Sequence, residues 1–572
     1  MSIYEKINTF IKNMGYRENS HILGILFYGS YLYGLDNENS DIDLHIIYDD
    51  SNQKLIRGNA YIDDTRIEYF EKNISEVFQI IENDYNEQNG ASLSIFGKSM
   101  IIYQKENEMD ELQAFTKQIF SNNIRSLDND EAIEQIAIIN NRMDRLKKDA
   151  YENSPYFNIL FNLTIDKIRR LYHKLNCISF LETSKALNAY KNPNFLKCYC
   201  VDKIPDERFL KIYYELLTNM DKTYIEKYEL LELLYKYTIK DIVFNENEYR
   251  TSVKPHYDID LNDSHYLNED NFSYNNKSIP IPVDVYNKIE NFIKKMNYRE
   301  NPDFIGVIVY GSSLTGFNTN DSDIDLQIIF NYNNDSVVRG KTVIDGIPIE
   351  YFEKSLESEY KLIDYDYNNQ NNATFSIIGN GSIVCDKDNI LYKLKQYALK
   401  RFSEPMPALS IEEAKEQISI LNNRIEKLEN YAKNNDIYFH HLYYLTIDRI
   451  RKFYHRLLGI SKIQTSKVYR IYTDEPYRKS MYKDNPDDIF IDMYMDLIND
   501  NSNDINIRLE KIKKFYNYST RNINLQGDYR VEIKSHNDKK NKKLNMNNCV
   551  YNRSNVHSKE QGPVKKLVPN RK

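Results

Sequence analysis

The chain has 572 residues, of which 41% are hydrophobic and 28% charged, with a formal net charge of −8. This length exceeds what one core can organise, and roughly 100–200 residues per domain predicts three to five domains. The acidic balance argues against a broad nucleic-acid-binding surface, since such surfaces are usually basic. The five scattered cysteines do not suit a disulfide framework and favour free thiols in a reducing cytoplasm, where we expect the protein to reside.

The N-terminal segment, residues 1–16, carries apolar side chains at helical spacing and lacks the apolar core of a signal peptide. No later apolar run has the length needed to span a bilayer, so we expect no membrane association. Residues 22–28 form an apolar run that predicts a buried strand leading into Gly29 and Ser30. Gly29 removes the Cβ where a phosphate would approach the backbone, and Ser30 adds a hydroxyl and an N–H group.

The next predicted strand carries the first chemical signal. Strand alternation places Asp41, Asp43 and His45 on one face. Two unpaired carboxylates at this spacing repel each other, and a divalent cation removes the repulsion. Mg²⁺ prefers carboxylate and phosphate oxygens as ligands. The segment therefore predicts a metal site beside a phosphate-binding loop.

A hairpin predicted over residues 55–71 supplies a third carboxylate. Glu68 is our candidate to complete a two-metal site, whereas alternation sends Glu71 to the opposite face. Arg57 lies in the same hairpin, and the sequence does not decide between a phosphate-binding role and an exposed position for it.

Helices are predicted for the rest of this half, with apolar residues at three-and-four spacing over residues 131–148 and 158–175. His173 follows Arg169 on the second helix at a spacing shorter than that of the arginine–histidine ribonuclease pairs, so we favour a packing role. Lys185 follows the helical region. Its point charge suits a triphosphate, but an exposed lysine beyond a helix cap is an equal alternative.

The chain repeats this arrangement 311 − 29 = 282 residues later, so two complete units stand in tandem. Gln327 replaces His45, which argues against a shared general base at that position. Tyr249-Arg250 also matches Tyr529-Arg530, at an offset of 280. The other repeated positions are Gly311, Ser312, Asp323, Asp325, Arg339, Glu350, Glu353, His455 and Lys467.

The two units predict six segments. The connecting segment is rich in Asn, Asp and Ser. The C-terminal tail is rich in Lys, Arg and Asn, which predicts disorder and allows transient contact with an acidic partner. The predicted segments are 1–105 and 283–387 as α/β domains, 106–256 and 388–536 as helical domains, 257–282 as linker and 537–572 as basic tail.

The Gly-Ser pair, the ten residues after it, the Asp-x-Asp segment and the acidic strand that follows resemble the DNA polymerase β-like nucleotidyltransferase superfamily. The minimal and aminoglycoside nucleotidyltransferases resemble the chain most. Residues 97–105 are similar to the strand that closes the catalytic domain in that superfamily. The resemblance implies an α/β (α+β) fold, with a mixed-sheet nucleotidyltransferase domain and then an α-helical bundle in each copy.

The resemblance also implies a reaction: transfer of a nucleoside monophosphate from an NTP, ATP first, to an acceptor hydroxyl, with two Mg²⁺ ions per site and release of pyrophosphate. It implies that Glu68 and Glu350 are catalytic, as groups that deprotonate the acceptor. The implied metal ligands are Asp41, Asp43, Glu68, Asp323, Asp325 and Glu350. The expected NTP-binding residues are Gly29, Ser30, Gly311 and Ser312, with Lys185 and Lys467 added for their charge.

The acceptor is left open by the sequence. We favour a small molecule of the aminoglycoside type, which the acidic net charge permits, and place a protein acceptor (AMPylation) second. Addition to RNA ends is disfavoured by the net charge and supported only by the basic tail. A non-catalytic nucleotide sensor or antitoxin-like protein would bind NTP without releasing pyrophosphate. By resemblance to the aminoglycoside-modifying enzymes, we expect a monomeric pseudo-dimer with acceptor clefts between its halves.

Overall fold

Two six-stranded mixed sheets and the helices that follow each of them make up the protein. The computed structural model describes residues 1–36, 40–49, 55–121, 126–198, 203–218, 221–253, 279–315, 323–332, 336–481, 485–500, 502, 504–523 and 529–533. Most of the predicted linker, 257–278, and the predicted basic tail, 537–572, lie outside these residues.

The first half contributes six strands and nine helices within its described residues. They are α1 (Ile3–Asn13), β1 (Ile22–Tyr28), β2 (Ile42–Tyr48), β3 (Leu55–Ile62), β4 (Thr65–Asn73), α2 (Ile74–Asn86), β5 (Met100–Gln104), α3 (Glu108–Ser121), α4 (Asn129–Tyr151), α5 (Phe157–Leu175), α6 (Thr183–Lys191), α7 (Pro193–Cys198), α8 (Glu207–Thr218), α9 (Tyr224–Thr238) and β6 (Tyr249–Val253).

The second half repeats this order with one additional short helix, α11, after its first strand. Its elements are α10 (Val283–Lys295), β7 (Phe304–Tyr310), α11 (Ser312–Thr315), β8 (Ile324–Phe330), β9 (Val337–Ile344), β10 (Ile347–Ser355), α12 (Leu356–Asn368), β11 (Ser382–Asp386), α13 (Ile390–Arg401), α14 (Ile411–Lys433), α15 (Phe439–Leu457), α16 (Val468–Thr473), α17 (Glu475–Met481), α18 (Asp488–Ile498), α19 (Ile505–Thr520) and β12 (Tyr529–Ile533).

Local sequence explains the core of each sheet. All seven residues of β1 are buried, and β1 pairs antiparallel with β2, which in turn pairs parallel with β4. In the second hairpin, Asp345 and Gly346 both take positive φ angles, 49° and 76°, as an Asp-Gly turn favours. The predicted fold class, a mixed sheet followed by helices in each copy, is confirmed.

The outer strand of each sheet comes from the other half of the chain. β6 follows the first set of helices but pairs with β9 of the second sheet. β12, at the end of the second half, pairs with β3 of the first sheet. The Arg250 Nη2 atom on β6 donates to Glu353 Oε2 on β10 at 2.8 Å. The halves are thus joined by a reciprocal exchange of edge strands, which our sequence analysis did not anticipate.

The helices of the two halves share one hydrophobic core. α5 packs against α15, and there His441 Nδ1 lies 2.8 Å from Asn162 Oδ1. Near this contact the Tyr156 hydroxyl donates to the backbone carbonyl of Thr465. Separating the halves would expose this core to water. No helix among the described residues has both the length and the apolar character required to cross a bilayer.

We expect the halves to depend on each other for folding. Expressed alone, residues 1–278 would lack the β12 edge and half of the shared core, where each large buried apolar side chain contributes about 1.5–3 kcal/mol. Co-expression with residues 279–572 should restore a folded one-to-one complex, measured by soluble yield, circular dichroism and light scattering. Two stable, separately folded halves would contradict this interpretation.

Candidate functional site

Each sheet brings three carboxylates together at two neighbouring parallel strands. Asp43 on β2 lies opposite Glu68 on β4, and Asp41 immediately precedes β2. Oxygen atoms of these three side chains, the first triad, lie within 4.8 Å of one another. Three carboxylates at this separation are a donor set that fits a divalent cation such as Mg²⁺. The second triad has the same geometry and consists of Asp323, Asp325 and Glu350.

The other acidic residue of the hairpin has a structural role. Glu71 is fully buried on the opposite face, where its Oε1 accepts a hydrogen bond from the Tyr16 hydroxyl at 2.8 Å and its Oε2 one from Tyr48 at 3.2 Å. Glu353 similarly accepts from the Tyr298 hydroxyl at 2.7 Å. Glu71 therefore points away from the first triad, as strand alternation predicts.

The loop glycine makes room for the second aspartate. Gly29 has φ 89°, and a Cβ on it would lie 2.1 Å from Asp43 Oδ2. Gly311 has φ 84°, and its Cβ would lie 2.2 Å from Asp325 Oδ2. The sequence predicts that this glycine lets a phosphate approach the backbone, and the structure adds a second reason for a glycine here, its close contact with an aspartate of the triad. One helical turn follows in each copy, Ser30–Tyr33 and Ser312–Thr315.

Burial and mutual repulsion raise the pKa of the central aspartates. Burial is the largest cause for Asp43, followed by the neighbouring charges of Asp41 and Glu68, and its pKa lies well above the ordinary value. The pKa of Asp325 is raised in the same way. A bound cation would remove this repulsion, so the electrostatics agree with the donor geometry.

An arginine fixes the glutamate of each triad. Arg57 is buried and donates to Glu68 Oε1 from Nε at 3.0 Å and from Nη2 at 2.5 Å. Arg339 binds Glu350 Oε1 through the same two atoms. The sequence left Arg57 undecided between phosphate binding and an exposed position, and the structure assigns it a third role, orientation of the glutamate.

The positive charges of Lys185 and Lys467 act on the central aspartates of the two triads. Lys185, an exposed residue in the first turn of α6, opposes the rise in the pKa of Asp43. Lys467 opposes the rise in the pKa of Asp325 in the same way, and its own pKa is lowered by burial. Their contact with a triphosphate stays a prediction.

One contact in the first site was missed by the sequence analysis. Arg66 Nη2 donates to Asp41 Oδ2 at 2.9 Å, and Arg66 Nη1 lies 3.3 Å from Glu426 Oε1 on α14. α14 belongs to the second half, so this half borders the first triad. Pro348 occupies the position that matches Arg66. The difference between Arg66 and Pro348 is the feature of the sequence that could have drawn attention to this contact.

The histidines singled out from the sequence are buried. His45 lies among the rings of Tyr28, Phe70 and Phe96, with centroids 5.1–5.2 Å away, and burial lowers its pKa well below the ordinary value. His173 Nδ1 lies 3.1 Å from the Ser179 carbonyl. The matching His455 contacts the backbone carbonyl of Ser461 at 3.2 Å. The packing role that we favoured for His173 agrees with these contacts.

We expect the loop glycine to control cation binding. Gly29→Ala should displace the Asp43 carboxylate and weaken Mn²⁺ binding at the first triad by about 10–100-fold, the usual cost of a disturbed ligand arrangement. Paramagnetic resonance of Mn²⁺ measures this in an Asp323→Ala/Asp325→Ala background. Gly34→Ala is the matched control, because Gly34 also has a positive φ, 64°, but its Cβ would meet nothing within 4 Å. Equal Mn²⁺ affinity in the two variants would contradict the assignment.

We also expect the buried histidines to make the helical region acid-sensitive. Burial lowers the pKa of His173 and of His455 to about 3, against about 6.5 in an unfolded chain. Between these values the unfolded state binds more protons, so stability falls as the pH falls, by about 2 kcal/mol per histidine between pH 7 and 5. His173→Gln should reduce the drop in Tm over this range, whereas His21→Gln, an exposed control, should not. An unchanged drop in His173→Gln would refute the idea.

Comparison with known proteins places both triads in domains of one type. Residues 6–123 match the family model described as nucleotidyltransferase domain, and residues 287–390 match that of polymerase beta, nucleotidyltransferase. A crystal structure of a nucleotidyltransferase-like protein from Exiguobacterium sibiricum 255-15 is similar at 11% identity, over 41% of this chain and 75% of that chain, with a TM-score of 0.26. No curated protein matches the sequence. The chain therefore contains two tandem nucleotidyltransferase domains, within residues 6–123 and 287–390, and these domains support a nucleotidyltransferase enzyme.

Proposed function

We propose that the protein transfers the nucleoside monophosphate of an NTP, ATP first, to an acceptor hydroxyl at both triads. The observation that carries this proposal is the repetition of one complete arrangement. In each sheet a glycine gives room to the central aspartate and an arginine holds the glutamate. A domain kept only as a scaffold would be free to lose a carboxylate, and neither copy has lost one.

The first and second triads would each hold two Mg²⁺ ions. When bound, these ions neutralise the carboxylates and the polyphosphate, lower the pKa of the attacking hydroxyl and stabilise the leaving pyrophosphate. The donor set described above fits such ions, because all the oxygens come from carboxylates.

The chain's own residues then have separate tasks. Arg57 donates two hydrogen bonds to a single oxygen of Glu68 and so restricts the orientation of the carboxylate that we propose as proton acceptor. Gly29 and Ser30 would offer backbone N–H groups to the phosphates. Lys185 would add a point charge beside the triphosphate, because its charge already acts on Asp43.

Both halves would contribute to each acceptor cleft. The contact between Arg66 and Glu426 brings α14 of the second half to the edge of the first triad, which supports a monomeric pseudo-dimer. The transfer chemistry is the same for a hydroxyl on a small molecule, a protein or a nucleic acid, so the triads alone do not select among them. The scattered cysteines, of which Cys177, Cys198 and Cys385 are free thiols, support a cytoplasmic location.

Removal of the aspartates should abolish transfer. With α-labelled NTPs, Mg²⁺ and a cell lysate as acceptor source, we expect Asp41→Asn/Asp43→Asn and Asp323→Asn/Asp325→Asn each to remove the label transferred at one site. In the quadruple variant the rate of pyrophosphate release should fall at least about 100-fold, because neither site can stabilise the charge that develops in the transition state. Asp63→Asn/Asp64→Asn, in the exposed turn between β3 and β4, is the matched control. Pyrophosphate release that persists in the quadruple variant would overturn the proposal, and NTP binding without release in the wild type would favour a sensor.

A further inference from the structure

Four helices pack side by side across the two halves of the chain. α4 packs on α5, α5 on α15 and α15 on α14. At one end, α14 reaches the first triad through the ion pair between Glu426 and Arg66. At the other end, α4 reaches the second sheet, where Asp130 Oδ2 accepts from the backbone N–H of Ser252 on β6 at 3.0 Å. The four helices therefore extend across both halves, from the first triad to the edge strand of the second sheet.

Lysine and arginine side chains recur along these four helices at matching positions of the two copies. Lysine or arginine occupies both members of each pair, although residues nearby differ in charge: Lys147 matches Glu429, and Lys148 matches Asn430. The cationic pairs at the offset of 282 include Arg142 with Arg424, Arg145 with Lys427, Lys167 with Arg449, and Arg170 with Lys452.

Four of these cations, Arg142, Lys167, Arg424 and Arg449, lie on one helix each and are here called the basic row. All four are partly buried, and none forms an ion pair or a hydrogen bond with any residue in the described part of the chain. Half-buried cations without a direct ion-pair partner cost folding free energy, because burial removes hydration that no group in contact replaces.

The cations of the row also repel one another. Burial and then the charges of Arg142 and Arg170 lower the pKa of Lys167 to about 8. Burial and then Arg449 lower the pKa of Arg424, while Glu182 and Asp166 oppose this effect.

The nearby acidic groups offset the charge of the basic row only in part. Burial raises the pKa of Glu182, but the charges of Lys185, Lys427, Arg424 and Arg449 outweigh it and lower that pKa, so this one carboxylate is shared among four cations. Asp166 is bound by Arg169 at 2.9 Å and Arg170 at 2.8 Å. Asp448, which acts on the pKa of Arg142, is bound by Arg451 at 2.7 Å and Lys452 at 2.6 Å. An anionic ligand would relieve the repulsion that remains.

We propose that the basic row binds a single-stranded nucleic acid whose phosphates contact Arg142, Lys167, Arg424 and Arg449 and whose terminal hydroxyl is the acceptor. This inference rests on the proposed function. The cations are spread over four helices, which suits a chain of phosphates, whereas the donor triphosphate has Lys185 and Lys467 beside the triads. A polycationic aminoglycoside, the acceptor type favoured from the sequence, would be repelled by the row.

The transfer step balances with this acceptor. The terminal hydroxyl oxygen of the strand forms a bond to the α-phosphorus of the NTP. The bond from that phosphorus to the oxygen bridging to the β-phosphate breaks, and pyrophosphate leaves with the bonding electrons. The hydroxyl proton passes to the glutamate of the triad, and the strand is one nucleotide longer.

The salt dependence of oligonucleotide binding tests the row directly. The probe is a 5′-fluorescein strand of about 20 nucleotides, as RNA and as DNA, followed by anisotropy in EDTA so that catalysis plays no part. Each phosphate contact to a single strand contributes about −0.7 to the slope of log K against log salt, so four contacts predict about −2.8. Affinity should then fall about 50-fold between 50 and 200 mM salt.

Variants of one half should reduce this slope by half. Arg142→Gln/Lys167→Gln and Arg424→Gln/Arg449→Gln are each expected to give a slope of about −1.4, and the quadruple variant a slope near zero. Lys117→Gln/Lys211→Gln, which removes two exposed lysines on α3 and α8, is the matched control and should keep the wild-type slope. Circular dichroism verifies the fold of each variant.

The outcomes separate this inference from the proposed function. No oligonucleotide binding, or a slope unchanged in the row variants, would overturn the inference. Loss of Mn–ATP affinity in the row variants without loss of oligonucleotide affinity would assign the row to the donor and overturn it as well. Oligonucleotide binding that depends on the basic row, without any nucleotide transfer, would refute the proposed function and the acceptor role of the strand, but would support the row as a nucleic-acid-binding site. Transfer to the strand that ends when its terminal hydroxyl is removed would support both.

Discussion

Repulsion among three closely spaced carboxylates is the constraint around which each nucleotidyltransferase domain is built. Asp43 is buried beside Asp41 and Glu68, an arrangement that costs folding free energy. The local structure tolerates this free-energy cost without removing it. Arg57 takes one oxygen of Glu68, and the missing Cβ of Gly29 leaves space for the Asp43 carboxylate. Two apolar residues would stabilise these strands better than two aspartates. The chain maintains the costly arrangement twice, which function explains and stability does not.

The parts of the site that depend on local geometry could be predicted from the sequence. Strand alternation has a period of two residues, so it separates Glu68 from Glu71 without knowledge of the fold. The structure agrees, since Glu71 binds Tyr16 and Tyr48 on the far side of the sheet. Arg57 could not be assigned in this way, because its contact with Glu68 requires the register between β3 and β4. A hairpin prediction gives the turn, but not which side chains meet across it.

Features that join distant segments could not be read from the sequence. The repeat of Tyr249-Arg250 at Tyr529-Arg530 is visible, but both sheets offer an equivalent edge, and sequence alone does not say which edge each strand takes. The basic row is hidden for a similar reason. A net charge of −8 averages over the whole chain. Arg142 and Lys167 of one half join Arg424 and Arg449 of the other only when α5 packs on α15. The net charge of −8 describes the whole chain and does not report on this local group of cations.

The two sites differ in a way that clarifies what duplication has preserved. Asp41 has Arg66 as its partner, and the matching residue in the second copy is Pro348. Compared position by position, the second site lacks the cation that Arg66 supplies in the first. Lys341, which matches Asn59, nevertheless opposes the rise in the pKa of Asp323, so a cation acts on the first aspartate there too. The two copies thus meet one electrostatic requirement from different strand positions. Both copies have a positive charge that acts on that aspartate, although the cation stands at different positions in the sequence. The electric field at the carboxylate depends on the distance and burial of the cation, and not on which strand carries it.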